Sequence, residues 1–256
     1  MTTSQFLQGR TALVTGASRG IGRATALRLA QAGALVCVHY GLRADAARET
    51  VDLIERQGGR AFALGADLAA CDTIGPLFAA LDAELAAYRA AGLDVLVNNA
   101  GLGEMLTMAA TDEAQFDRMF AVNVKGSFFV TRHALPRLND GGRIINISSM
   151  VAFAAYPACI AYAQTKAAVN SLTRSLAAEL GPRRITVNAV APGATSTDFI
   201  GDLASDPAFM DALRAGTALN RIGEPGDIAG VVAFLASPDA GWITGQVIQA
   251  SGGMHL

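Results

Sequence analysis

The sequence predicts a single α/β domain, a parallel sheet with helices on both faces, and three observations predict it. Short apolar runs alternate with longer helical patterns from one end of the chain to the other, the signature of consecutive βαβ units. A glycine-rich turn follows the first run directly and opens a helix. No linker, low-complexity tract or internal repeat divides the 256 residues, so residues 1–256 are expected to form one domain.

The elements follow in order. The run TALVT at 11–15 ends at Gly16 and reads as a buried strand. In 21–32, Ile21, Ala24, Leu27 and Ala30 share one helical face, and Gly33 closes the helix. A strand at 34–40, a helix at 44–57 stopped by Gly58 and Gly59, a strand at 60–66 and a helix at 73–90 come next. The alternation continues with a strand at 93–97, a helix at 113–135, a strand at 143–147, a helix at 159–180 and a strand at 185–190. The stretch 192–225, rich in Pro, Gly, Ser and Asp, reads as irregular. A helix at 226–235 and a strand at 246–250 complete the pattern.

Composition excludes several classes of function. With 52% hydrophobic and 16% charged residues, the chain is not disordered. The formal net charge is −2 with acids and bases interspersed, so no basic face marks a nucleic-acid partner. Cys37, Cys71 and Cys159 form no CxxC and have no histidine cluster nearby. This argues against a disulfide framework or a metal site and for buried thiols in a reducing cytosol. The first ten residues lack the basic start and apolar run of a signal peptide, and no apolar stretch reaches bilayer-spanning length. A soluble, cytoplasmic protein without a membrane partner is expected.

The chemistry begins at Thr15-Gly16-Ala17-Ser18-Arg19-Gly20-Ile21-Gly22, between the first strand and the first helix. Glycines there permit a tight turn and close approach of backbone to a pyrophosphate, and the helix N-terminus offers free N–H groups to the anion. The spacing is G-x-x-x-G-x-G rather than G-x-G-x-x-G. After the second strand comes His39-Tyr40-Gly41-Leu42-Arg43, with no acid before Asp45. A carboxylate at that place would hold a ribose 2′-hydroxyl and repel a 2′-phosphate, whereas arginine pairs with the phosphate. Arg19 and Arg43 therefore favour NADP(H) over NAD(H), the alternative being that both are solvated surface residues.

Tyr162 and Lys166 are four apart in a helical segment and share one face. A phenol is a poor base at neutral pH, and a neighbouring ammonium draws its pKa down. Ser149 follows the strand at 143–147, where ligand sites open in parallel sheets, and precedes Tyr162 by a short loop. Both hydroxyls can then reach one substrate oxygen.

These motifs, in this order and over nearly the whole chain, resemble the short-chain dehydrogenase/reductase family. They comprise TGASRGIG at 15–22, Asp67, NNAG at 98–101, Asn123, Ser149, Tyr162, Lys166, and Pro192-Gly193 with Thr197. The resemblance implies a Rossmann-type, doubly wound seven-stranded parallel sheet of order 3-2-1-4-5-6-7. It implies an oxidoreductase that moves a hydride between NADP(H) and a carbonyl or secondary alcohol. Tyr162 would be the general acid or base, Ser149 would stabilise the substrate oxygen, Lys166 would bind the nicotinamide ribose, and Asn123 would hold a relay water. Gly16, Ser18, Arg19, Gly20, Ile21 and Gly22 would hold the pyrophosphate side, with Tyr40 and Arg43 after the second strand. Asp67 and Leu68 would lie near the adenine, Asn99, Ala100 and Gly101 along the fourth strand's end, and Pro192, Gly193, Thr195 and Thr197 at the nicotinamide. Asn98 and Asn99 read equally well as supports for backbone geometry at the strand end and as direct participants in catalysis.

Among family members the likeness is to 3-oxoacyl thioester reductases. Those that act on carrier proteins place basic residues before the fifth strand and after the catalytic helix; here the first place is Asn139-Asp140-Gly141, while Arg183 and Arg184 fill the second. Substrate choice falls to the variable segment of about 193–225, with 150–159 and 102–108, whose Ala, Phe, Met and Leu suit an uncharged, partly apolar ketone. The family also implies a homo-oligomer, dimer or tetramer, and Phe116, Phe120, Phe128 and Phe129 offer more apolar surface than one core-facing stripe uses. The rival readings are an NAD-dependent alcohol dehydrogenase and, in a different class, a non-catalytic dinucleotide-binding sensor or scaffold.

Overall fold

The computed structural model describes residues 5–199, 201 and 205–254; positions 200 and 202–204 of the variable segment, and the two ends of the chain, lie outside the described residues. β1 (Thr11–Val14) is buried at every position, as a strand covered on both faces must be. It is followed by α1 (Gly20–Gln31), β2 (Leu35–Tyr40), α2 (Ala44–Arg56), β3 (Arg60–Gly65), α3 (Cys71–Ala87) and β4 (Leu93–Asn98). Then come α4 (Glu113–Phe120), a π-helical segment (Ala121–Gly126), α5 (Ser127–Ala134), β5 (Leu138–Ile147) and α6 (Ile160–Leu180). β6 (Thr186–Pro192), α7 (Pro207–Ala215), α8 (Pro225–Ala236) and β7 (Val247–Ala250) complete the chain.

The seven strands pair in parallel in the order β3-β2-β1-β4-β5-β6-β7, the order the resemblance implies. Because side chains alternate across each strand, the sheet sorts its core into two layers. Val14, Val36 and Val97 face Leu29 of α1 and Val232 of α8. Leu13, Leu96 and Ile144 face Phe78 of α3, Val130 of α5 and Leu176 of α6. The chain moves from β1 outward to β3 and then returns to set β4 on the other side of β1. Connections diverge at that point and open a crevice at the strands' carboxyl ends.

Three local features depart from the sequence reading. The helix expected over 113–135 keeps its direction but widens to π geometry over Ala121–Gly126, where Asn123 bonds sideways to other segments. β5 begins at Leu138 rather than 143, and residues 139–142 stand against the single Asp94 as an irregularity in its pairing with β4. The stretch expected to be irregular contains α7, started by Asp206, whose carboxylate accepts from the backbone of Ala208 and Phe209, with Pro207 at its first position. Among the described residues no helix is long and apolar enough to cross a membrane, and no cluster of His, Cys, Asp and Glu is arranged to hold a metal ion.

Candidate active site

The glycine loop is held from several sides. Gly16, at φ +64°, has a backbone conformation that suits glycine, and a Cβ there would meet Ala100 Cα at 2.9 Å. A Cβ on Gly22 would collide with the Gly16 carbonyl and the Asn99 amide, so the first turn of α1 can lie this close to the loop only as glycine. Asn99 Nδ2 donates to the carbonyls of Thr15 (2.8 Å) and Gly16 (3.1 Å). Thr15 Oγ1 accepts from the N–H groups of Asn99 and Ala100. These bonds are what the supporting reading of Asn99 calls for, and the residue also lines the cleft. Arg23 was not singled out by the sequence reading; its Nε donates to the Ser18 carbonyl and to Thr50 Oγ1, tying the loop to α2.

α1 begins at this loop with Arg19 as its N-cap, but no side chain caps it and its first turn carries no acid. Its leading N–H groups and dipole are thus left for an anion. Arg19 and Arg43, on different βα connections, converge on one carboxylate, that of Asp198 beyond β6: Arg19 bonds it directly and Arg43 Nη1 lies 3.7 Å away. The Arg19 guanidinium beside it, helped by Arg43, holds the Asp198 carboxyl below the usual range. Tyr40 lays its ring across Gly65. Asp67 is exposed and accepts from the Ala69 N–H (3.0 Å), while the Leu68 side chain belongs to the core.

Tyr162 and Lys166 occupy the first two turns of α6, both buried. Lys166 Nζ donates to the Ile147 carbonyl (2.8 Å) and sits 5.6 Å from the Tyr162 ring centroid. Burial pushes the ammonium down to about 8. The sequence reading has Lys166 drawing the Tyr162 phenol down. Instead, burial dominates and raises the phenol above its ordinary value, opposed by the hydrogen bond with Ser149. Removing a phenolate from water costs more than its neighbours return, which favours the protonated phenol. Ser148 turns away, donating to Asn170 Oδ1 (2.6 Å); Ser149 lines the cleft beside Tyr162.

Asn123 is held by three side-chain hydrogen bonds. Its Nδ2 donates to the Leu102 carbonyl (2.7 Å) and Thr165 Oγ1 (3.0 Å), and its Oδ1 accepts from Leu102 N–H (2.8 Å). Both amide hydrogens are spent on protein, so the side chain clamps the β4 loop to the catalytic helix. This clamp sits on the π segment, a geometry often found at functional sites.

A cleft of about 220 Å³ runs past Ile21, Asn99, Gly101, Ser149, Tyr162 and Lys166 and under Pro192, Gly193, Thr195 and Thr197. Tyr40, Arg43, Asp67 and Leu68 lie outside it, toward the ends of β2 and β3. Its far wall is apolar, formed by Met105, Met150, Tyr156, Phe199, Phe209 and Met254. The Phe199 ring lies 5.2 Å from that of Tyr162 and directly over Gly103, where a Cβ would overlap it. Cys159 also lines the cleft, but burial raises its thiol, which makes it a poor nucleophile.

With this geometry in place, likeness to known proteins decides the family. Residues 16–255 match the family model described as enoyl-(acyl carrier protein) reductase. An oxidoreductase of Methylorubrum extorquens is 44% identical over 250 residues, covering 97% of this chain and 99% of that protein. The chain is a short-chain dehydrogenase/reductase. A hydroxynaphthalene reductase-like member of the family from Metarhizium brunneum is 40% identical over 263 residues, covering 98% of this chain and 97% of that one. The crystal structure of the angucycline C-6 ketoreductase LanV with bound NADP superposes with a TM-score of 0.94 at 47% identity, covering 98% of this chain and 97% of that one. The reductase LugOII, which catalyses keto-reduction at C1 during lugdunomycin biosynthesis, gives 0.93 at 45%, covering 98% and 99%.

Within the family, the basic positions near the carrier-docking region are partly consumed here. Arg183 pairs with Asp140 (2.9 Å) and donates to the carbonyls of Leu135 and Leu138. Besides Arg23, Asp198 and His39 are residues beside the candidate site to which the sequence reading gave no part. Asp198 directly follows the recognised Thr197, and His39 is the one ionisable side chain inside β2 other than Cys37 and the terminal Tyr40.

Proposed function

We propose that the chain is an NADPH-dependent ketoreductase acting on a flat, fused-ring aromatic ketone, with Tyr162 as the proton donor. The observation that carries the cofactor reading is the convergence of Arg19 and Arg43 on one carboxylate: two guanidinia that share Asp198 are placed to share a 2′-phosphate. The residues fit a dinucleotide on their own chemistry, because the uncapped N-terminus of α1 and the glycine cradle leave donors and space for a pyrophosphate. When bound, the dinucleotide supplies or takes up the hydride.

The protein's own residues do the rest. Gly16–Gly22 and Asn99–Gly101 line the pyrophosphate side, Asp67 and Leu68 the adenine end, and Pro192, Gly193, Thr195 and Thr197 the nicotinamide end. Lys166 orients the ribose and keeps a positive charge beside the phenol. Ser149 holds the carbonyl oxygen and stabilises the charge that develops on it. Tyr162, protonated at neutral pH, gives that oxygen its proton. Asn123 keeps the β4 loop against α6 so that these groups stay in register.

Substrate class is supported by the apolar wall of Met105, Met150, Tyr156, Phe199 and Phe209, where aromatic rings stack and methionines adapt to shape. It also agrees with LanV, whose structure has been determined with NADP and rabelomycin. Exposed Phe128, Phe234 and Trp242 support a homo-oligomer, dimer or tetramer, which light scattering would reveal as a mass of two or four chains; a monomer would refute it. The function is tested by following NADPH and NADH oxidation against polycyclic aromatic ketones, short aliphatic ketones and carrier-bound 3-oxoacyl thioesters. Turnover of the polycyclic ketones with NADPH supports the reading. Preference for NADH, or for carrier-bound thioesters, overturns the cofactor or substrate part respectively.

A further inference from the structure

His39 ends the apolar run of β2 and is 1% exposed. A buried imidazole normally finds partners for both nitrogens, and here both partners belong to cofactor-facing segments. Nδ1 accepts from the Gly16 N–H (3.2 Å), so the ring hydrogen sits on Nε2, which faces the Ala66 carbonyl at 3.2 Å. The backbone of the same residue adds a third tie, its carbonyl accepting from Ala17 N–H (2.8 Å). Gly16 is therefore gripped at both ends of its polar backbone, by His39 on its N–H and by Asn99 on its carbonyl. Ala66 stands immediately before Asp67 and Leu68, at the other wall of the crevice.

We propose that His39 is a positioning residue for the dinucleotide: a strut of fixed tautomer that joins the Gly16 turn to the 66–68 segment and sets both walls of the adenosine crevice before the ligand enters. Without it, Gly16 loses the acceptor for its N–H and the turn is free to relax, so ordering it becomes a cost of binding. The chemistry at Tyr162 lies at the other end of the cleft and does not depend on the strut. The strut therefore governs cofactor affinity and leaves the chemical step alone. This rests on the proposed cofactor site but does not depend on NADP over NAD, because Gly16 and Ala66 serve parts common to both.

The test titrates wild type, His39→Leu, His39→Asn and His39→Gln with NADPH and NADH, reading cofactor fluorescence, and measures kcat at saturating cofactor. An Asn oxygen occupies the place of Nδ1, and a Gln amide reaches toward that of Nε2. Loss of a buried hydrogen-bonded strut predicts about tenfold weaker binding of both cofactors to His39→Leu, with kcat at saturation essentially unchanged. Asn should restore most of the loss and Gln less of it. Wild-type affinity in His39→Leu, or a fall in kcat with unchanged affinity, overturns the inference. If His39→Leu does not fold, the other two variants decide: Gln weaker than Asn supports the strut, and both equal to wild type, or the reverse order, overturns it. A wild-type chain that binds neither cofactor refutes the cofactor reading, and the strut with it.

Discussion

At the nucleotide end of the cleft the chain answers its own polar groups: Gly16 is bonded by His39 and Asn99, Ser18 by Arg23, Thr15 by the backbone of Asn99 and Ala100. At the proposed substrate end, by contrast, Phe199, Met105, Phe209 and Met254 present apolar surface, and the described residues of the covering segment are tied by the bridges Thr195–Gly223 and Thr217–Met254 and by the Asp198 pair with Arg19. A hydrogen-bonded loop with glycines in close contact tolerates little change, because each bond and each missing Cβ fixes a backbone position. An apolar wall on a variable segment can exchange side chains of similar volume at small cost. The two ends therefore differ in what a substitution should do.

For cofactor binding the largest effect is expected at Gly22. A methyl group there overlaps the Gly16 carbonyl and the Asn99 amide, and overpacking of that kind costs about 1–3 kcal/mol. Gly22→Ala should weaken NADPH binding on the order of 100-fold at most, as read by titration, while unchanged affinity would break the picture of a rigid loop. Next come the arginines. Arg43→Ala, and Arg19→Ala separately, should each weaken NADPH about tenfold, the worth of a charge-assisted hydrogen bond, and leave NADH unchanged. Equal losses for the two cofactors would make these arginines structural.

A gentler test uses pH. Burial pushes His39 down from 6.5 to about 4, and no charged group contributes to the shift. Between those two values the unfolded chain binds a proton that the folded chain refuses, so stability falls as pH drops through this window. The slope is at most about 1.4 kcal/mol per pH unit, and His39→Asn should flatten it in urea denaturation curves. The smallest effect belongs to the substrate end. Phe199→Ala should raise KM for an aromatic ketone about threefold, in line with the loss of a single ring contact, with NADPH affinity untouched.

The same contrast explains what could be read from the sequence. Strand–helix alternation carried the parallel sheet, and the family resemblance carried its strand order; the candidate glycines, Asn99, Tyr162 and Lys166 were legible because they recur at fixed spacing beside strand ends and on one helix face. α7 was missed although Asp206-Pro207 is a good helix start, since the surrounding Gly, Ser and Asp read as loop. The start of β5 was hidden by Asn139-Asp140-Gly141, which reads as a turn and is accommodated by a pairing irregularity. No local pattern marks the π segment, which accompanies the bonds of Asn123 to Leu102 and Thr165, partners brought together only by folding. At Tyr162 the dominant influence is burial, a property of the packed site that no local pattern carries.

The most direct test of the account compares Tyr162→Phe with wild type, measuring NADPH affinity and the single-turnover rate of ketone reduction in the same preparation. The variant should bind NADPH as wild type does and reduce the ketone slower by about 10²–10⁴, the contribution of a positioned general acid. A variant that keeps its rate would show that Tyr162 does not deliver the proton, and with that the mechanism proposed for this cleft would fail.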